Sequence, residues 1–133
     1  MQESQDKNVP LFLETISAGF PAPGDEDVKE NIDLNKLLVK NRIATFFLRV
    51  SGDSMEGGGI YDGDILVVDR SVEPMNGKIV IASINGELTV KKLKKDKNGI
   101  FLEALNPKYK MIKITEYLDF RIWGVVTSNI HFH

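Results

Sequence analysis

Cysteine is absent from this 133-residue chain, and histidine occurs only as His131 and His133, at the very end. The first absence excludes a disulfide framework and a thiolate zinc site, and gives no sign of an oxidising compartment. The second removes the usual general base from all but the C-terminal tail. Long apolar runs are missing too. Met1 to Lys7 is polar, Val9 to Leu13 is short and interrupted by Pro10, and nothing later approaches the ~20 apolar residues of a membrane span. Neither sign of charge dominates, since 17 lysines and arginines face 19 aspartates and glutamates. No global field therefore favours a polyanion such as nucleic acid. The expectation is a cytoplasmic chain that forms one domain behind an N-terminal arm, with no cofactor and no metal.

The arm carries the apolar stretch Val9 to Ile16 and breaks at Ala18-Gly19-Phe20-Pro21-Ala22-Pro23-Gly24, where two prolines and two glycines oppose regular structure. Asp25 to Glu30 reads as a charged, solvated connector. Asp33 followed by Leu34, Leu37 and Leu38 predicts an N-cap and the apolar face of one short helix ending near Lys40. From Thr45 onward the signals are strands: Thr45 to Val50, Ile65 to Asp69, Lys78 to Ile84, Glu87 to Leu93, Ile100 to Ala104 and Phe120 to Thr127. Asn85-Gly86 between two β-branched runs predicts a tight hairpin, because both central positions of a type I′ turn need positive φ. The fold class is mostly β, with the arm over residues 1–31 and a β-rich body over residues 32–133.

A serine hydroxyl needs a base, and with histidine so scarce a lysine held neutral by burial is the base this composition leaves open. Ser54, in Ser51-Gly52-Asp53-Ser54-Met55, follows a strand and precedes Gly57-Gly58-Gly59. A tight turn there would turn backbone N–H groups, those of Asp53 and Ser54, toward a substrate carbonyl. A plain turn serine is the alternative. Tyr61-Asp62-Gly63-Asp64 lacks the spacing and terminal glutamate of an EF-hand loop and reads as a turn. For the base, alternation places Lys92 with Leu88 and Val90, and Lys91 with Thr89 and Leu93. Periodicity leaves both open, and both could equally belong to a solvated basic edge strand with Lys94 and Lys95.

Phe20-Pro21, Ile32-Asp33-Leu34-Asn35, Ser51-Gly52-Asp53-Ser54-Met55, Asp62-Gly63-Asp64, Gly86-Glu87, Thr89-Val90-Lys91-Lys92-Leu93 and Gly124-Val125-Val126 resemble, in order and spacing, the LexA-type Ser-Lys self-cleaving peptidases, and among them the UmuD-like group. The resemblance runs from Pro10 to Val126. It implies a LexA/signal-peptidase-like β-rich domain, Ser54 as nucleophile, Lys91 as the catalytic lysine of the pair, and Ala18-Gly19 as the self-cleavage bond. It further implies a homodimer, stimulation by a RecA–single-stranded-DNA filament, and a trimmed product that serves a UmuC-type translesion polymerase in the SOS response to DNA damage. Met1 to Ala18 is too short for a helix-turn-helix, so direct sequence-specific DNA binding is not expected. Two other readings stay open. One is a non-catalytic β-rich protein-binding module. The other is a single-stranded nucleic-acid binder using Lys91 to Lys97 with Phe101, Tyr109 and Trp123, against which stand the balanced charge and the expected burial of Trp123 in an apolar strand. The tail Ile130 to His133 reads as a disordered end rather than a metal site.

Overall fold

The computed structural model describes residues 9–12, 15–19 and 29–133. The expected break over Phe20 to Gly24 lies outside them, as does most of the charged connector. Two compact units make up the chain, Met1–Leu38 and Val39–His133.

In the first unit, β1 (Val9–Phe12) pairs antiparallel with β2 (Lys29–Ile32), from Val9↔Ile32 to Phe12↔Lys29. The connector thus ends in a strand rather than running on as solvated chain, because Lys29 to Ile32 finds backbone partners across the hairpin. Ala18 and Gly19 sit in the connection between the two strands. Both are exposed, and the Gly19 N–H donates to Ser17 Oγ at 3.0 Å. Helix α1 (Leu34–Leu38) is capped as expected: Asp33 Oδ1 accepts the Asn35 N–H at 3.0 Å, and its carbonyl accepts from Leu37 N–H at 3.0 Å. The leucine face is not a core face, since Leu34 and Leu37 are half exposed.

The second unit is a seven-stranded, wholly antiparallel sheet. Its strands are β3 (Thr45–Arg49), β4 (Ile65–Asp69), β5 (Ile79–Ile84), β6 (Glu87–Asp96), β7 (Gly99–Glu103), β8 (Ile112–Lys113) and β9 (Phe120–Ile130). They lie in the order β3-β4-β9-β5-β6-β7-β8. Six of these strands are legible in their apolar, β-branched runs. The two-residue β8 is too short to show a period. The Asn85-Gly86 hairpin forms as predicted, with φ of 51° and 87° and Ile84 opposite Glu87. Strand β6 lies inside the sheet from Lys92 to Asp96, where β7 pairs with it, while Glu87 to Lys91 pairs with β5 alone.

Alternation along β5 divides the interior in two. Ile81 joins Val50, Met55, Ile60, Leu66 and Val68 in one cluster. Val80 and Ala82 join Leu93, Leu102 and Val125 in the other. Strand β9 serves the second cluster with Phe120, Ile122 and Val125, a spacing that plain alternation would forbid. A bulge reconciles them: Ile81 pairs with Gly124 and Ala82 with Ile122, so Trp123 is the extra residue. Trp123 is accordingly 45% exposed rather than buried. The tail is likewise tied down, because Ile130 pairs with Ile65 and His131 Nδ1 lies 2.5 Å from the buried Asp64 carboxylate.

Candidate active site

The β3–β4 connection, residues 50–64, positions Ser54. Its two ends continue the strand ladder, with Val50 N–H donating to Asp64 O and Gly63 N–H to Val50 O, both at 2.8 Å. Asp62 Oδ1 accepts from Gly52 N–H at 2.8 Å. The Tyr61 to Asp64 segment is thus a turn that braces the serine loop, as its composition suggested. Two buried anchors follow Ser54. Met55, next in sequence, is 1% exposed, and Ile60 beyond the 3₁₀ turn Glu56–Gly58 is 2% exposed.

A second loop, between β7 and β8, clamps the same segment. Asn106 Nδ2 donates to the Asp53 carbonyl at 2.9 Å, Lys108 Nζ to Asp53 Oδ2 at 2.6 Å, and the Tyr109 hydroxyl to Asp53 Oδ1. The Lys108 ammonium and the Tyr109 hydroxyl hold the Asp53 carboxyl below the usual carboxylate range. Gly57 N–H donates to Leu105 O at 2.7 Å, and a Cβ at Gly57 would stand 2.4 Å from that oxygen, so only glycine permits the approach. Among the described residues, no other residue accepts from the N–H groups of Asp53 and Ser54, although the Asp53 N–H also faces its own carboxylate. Both can serve an oxygen from elsewhere.

Lys91 reaches this loop from β6. Its Nζ lies 3.1 Å from Ser54 Oγ, 2.8 Å from Thr89 Oγ1 and 3.2 Å from Val90 O. Burial pushes its pKa below the ordinary lysine value, and no carboxylate among the described residues pairs with it to oppose that shift. The three oxygens fit both states of the amine. As an ammonium it donates to all three; as a neutral amine it donates to Thr89 Oγ1 and Val90 O and keeps its lone pair for the Ser54 proton. Lys92 stands opposite Ile79 and Glu103 and makes no ion pair among the described residues.

Ser54 and Lys91 open onto a cleft of about 250 Å³ whose apolar wall is Leu48, Leu66, Ile81 and Val90. Along it, Glu87 to Lys91 pairs with β5 on one side, and β7 begins to pair only at Lys92. The structure brings Ser54, Lys91 and the N–H groups of Asp53 and Ser54 to one place, while Ala18 and Gly19 belong to the first unit. Sequence reasoning missed Asn106 and Lys108 and gave Tyr109 only a base-stacking role; all three lie more than fifty residues from Asp53. It also gave no role to Thr89, although its place two residues before Lys91 signals a shared strand face.

Comparison with known proteins places these motifs in a wider set. The Peptidase S24-like family profile matches residues 10–127. Protein SamA of Salmonella typhimurium strain LT2 is 44% identical over 130 residues, which span 98% of this chain and 90% of SamA. Protein MucA of Escherichia coli is 41% identical over 140 aligned residues, spanning 98% and 89% respectively. The LexA repressor of Leptospira interrogans is 38% identical over 109 residues, which span 82% of this chain and 53% of the repressor.

Proposed function

The chain belongs to the Peptidase S24-like family and is a hydrolase of the self-cleaving serine-peptidase kind, and we propose that it cuts its own arm between Ala18 and Gly19 with a Ser54–Lys91 dyad. The observation that carries this reading is the 3.1 Å contact of a partly buried lysine amine with a serine hydroxyl. Neutral Lys91 takes the Ser54 proton as Oγ bonds to the Ala18 carbonyl carbon. The N–H groups of Asp53 and Ser54 receive the oxyanion. Collapse breaks the Ala18–Gly19 bond, and Lys91 returns the proton to the departing Gly19 amine. Water, giving its proton to Lys91, then attacks the Ala18 acyl carbon, and Lys91 passes that proton to Ser54 Oγ as the ester bond breaks. The side of β6 from Glu87 to Lys91 that faces away from β5, where β7 has not yet begun to pair, offers the backbone groups on which an extended substrate adds as a strand. Residues 1–31 act as substrate and 32–133 as peptidase.

The resemblance to the UmuD-like group carries the wider role: a homodimeric switch of the SOS response, whose cleavage a RecA filament accelerates and whose trimmed form serves a UmuC-type polymerase. Among the described residues, no helix is long and apolar enough to cross a membrane. The test is mass spectrometry of the purified protein, incubated at neutral and alkaline pH with and without a RecA filament. A product beginning at Gly19 is expected, fastest with filament or at alkaline pH, and none from Gly19→Glu. Intact protein under all four conditions would instead favour the non-catalytic binding module.

A further inference from the structure

The Asn106 side chain is used at both ends. Its Nδ2 donates to the Asp53 carbonyl at 2.9 Å, and its Oδ1 accepts the Lys108 N–H at 3.0 Å, closing a local turn. The Asp53 carbonyl belongs to the Asp53–Ser54 peptide, whose N–H is that of Ser54 itself. A trans peptide is planar, with C=O and N–H pointing in opposite directions, so fixing the carbonyl aims the N–H. A hydrogen bond to the oxygen also polarises the peptide and strengthens its N–H as a donor. The Glu56 N–H, at 3.3 Å, is the only other donor to that carbonyl among the described residues.

From this geometry we infer that Asn106 is a positioning residue for the self-cleavage reaction: it acts through the Asp53–Ser54 peptide to aim the Ser54 N–H at the oxyanion. The inference rests on the Ser54–Lys91 reading. It assigns a task in the reaction to the β7–β8 loop, which contributes no nucleophile or base. Aspartate has the length and shape of asparagine, and this separates the two jobs of the side chain. Asn106→Asp keeps the acceptor that closes the turn at Lys108 and replaces the donor to Asp53 O with a carboxylate oxygen that repels it, whereas Asn106→Ala removes both contacts without adding charge.

Both variants are compared with the wild type as full chains in two assays. The first is the self-cleavage rate across pH. The second is binding of the peptide Thr15-Ile16-Ser17-Ala18 with a boronic acid in place of the Ala18 carboxyl, set against the same peptide as its C-terminal amide. Ser54 adds to boron and leaves a tetrahedral boronate oxygen where the oxyanion would sit; the amide makes no such demand. Expected for both variants is a plateau rate lower by about 10- to 100-fold, since a misaimed donor costs less than a deleted one. Boronate affinity should fall by a similar factor with amide affinity unchanged, and the pH midpoint should stay in place for Asn106→Ala, which adds no charge. If Asn106→Ala does not fold, Asn106→Asp decides alone. If Asn106→Asp matches the wild type, or if both peptides weaken alike, Asn106 has a purely structural role and the inference is overturned. A wild type that neither cleaves nor binds the boronate takes down the Ser54 reading and this one with it.

Discussion

The two apolar clusters that share β5 are built differently. The second draws Val80, Ala82, Leu93, Leu102 and Val125 entirely from strands. The first mixes strand residues with Val50, Met55 and Ile60 from the connection that carries Ser54. Strand-only packing holds a sheet. A cluster that reaches into a loop holds a loop, and a nucleophile needs its loop held, because a small misplacement of the attacking atom costs orders of magnitude in rate. The first cluster accordingly also walls the cleft, and polar contacts from Asp62, Asn106, Lys108 and Tyr109 finish what Met55 and Ile60 begin.

The largest expected effects fall on the dyad over the first cluster. Ser54→Ala and Lys91→Ala should each cut self-cleavage by more than about a thousandfold, the scale on which single members of a catalytic unit act, while both proteins stay folded. In the wild type the rate should rise from neutral to alkaline pH and level off above the lowered folded-state pKa of Lys91. Stability follows a related curve. Between the folded and unfolded pKa values the unfolded chain binds more protons at Lys91, so its burial cost is full below the folded value and fades as pH rises through it. Lys91→Met should therefore be at least as stable as the wild type at neutral pH, measured by urea unfolding. A flat pH–rate profile would remove lysine deprotonation from the mechanism.

One pair of core variants breaks or sharpens the contrast between the clusters. Met55→Ala and Leu102→Ala each empty a fully buried site and should each cost about 2–5 kcal/mol. Cleavage by the folded fraction should fall only for Met55→Ala, whose side chain pins the residue after the nucleophile. Unfolding curves give the stabilities, and cleavage rates corrected for the folded fraction give the rest. Equal rates in the two variants would mean that the loop is held by its polar clamps alone.

Much of this contrast is hidden in the sequence for identifiable reasons. Strands β3 to β7 and β9 announce themselves through β-branched runs and the Asn85-Gly86 turn, and Asp33 through its place before a leucine periodicity. What alternation cannot see is a slip in its own phase, so the bulge that exposes Trp123 is invisible until Phe120, Ile122 and Val125 are found on one side. Long-range polar contacts are equally silent. Nothing in Asn106-Pro107-Lys108-Tyr109 points to Asp53, and nothing in the tail points to Asp64. For the site, composition suggests a lysine base, but only motif resemblance singles out Ser54 and Lys91. Face parity leaves both lysines open, because the cleft is lined by Leu88 and Val90 and also by Thr89 and Lys91.

A smaller effect is expected where the tail meets the serine loop. Burial alone would raise the Asp64 pKa, but hydrogen bonds from the Tyr61 N–H, His131 and Asn129 outweigh it and hold the carboxyl below its ordinary value. Its contribution is then complete above the unfolded carboxylate pKa and lost as pH falls through the lowered folded value. Asp64→Asn should lower Tm by about 5 °C at neutral pH, the scale of a lost buried hydrogen bond in a domain this size. The gap from wild type should close as the pH falls through the lowered folded-state value, where the wild-type carboxylate is itself lost. Thermal melts at neutral and acid pH check this, and a gap that widened in acid would reverse the sign assigned to Asp64.

The smallest effect is reserved for Lys92→Ala. Lys91 and Lys92 are neighbours of identical chemistry, and β7 separates them: it begins to pair with β6 at Lys92↔Glu103, so Lys91 is the last residue with an open edge. From that edge its amine gathers Val90 O, Thr89 Oγ1 and Ser54 Oγ, whereas Lys92 stands opposite Ile79 and Glu103, within the paired part of the sheet. Removing a side chain that holds none of the loop's contacts should change stability by no more than about 0.5 kcal/mol and leave the cleavage rate and its pH midpoint where they are. Self-cleavage followed on gels for Lys91→Ala and Lys92→Ala side by side decides the matter. A dead Lys92→Ala beside an active Lys91→Ala, both folded, would transfer the base to the other lysine and make the open edge irrelevant to the chemistry.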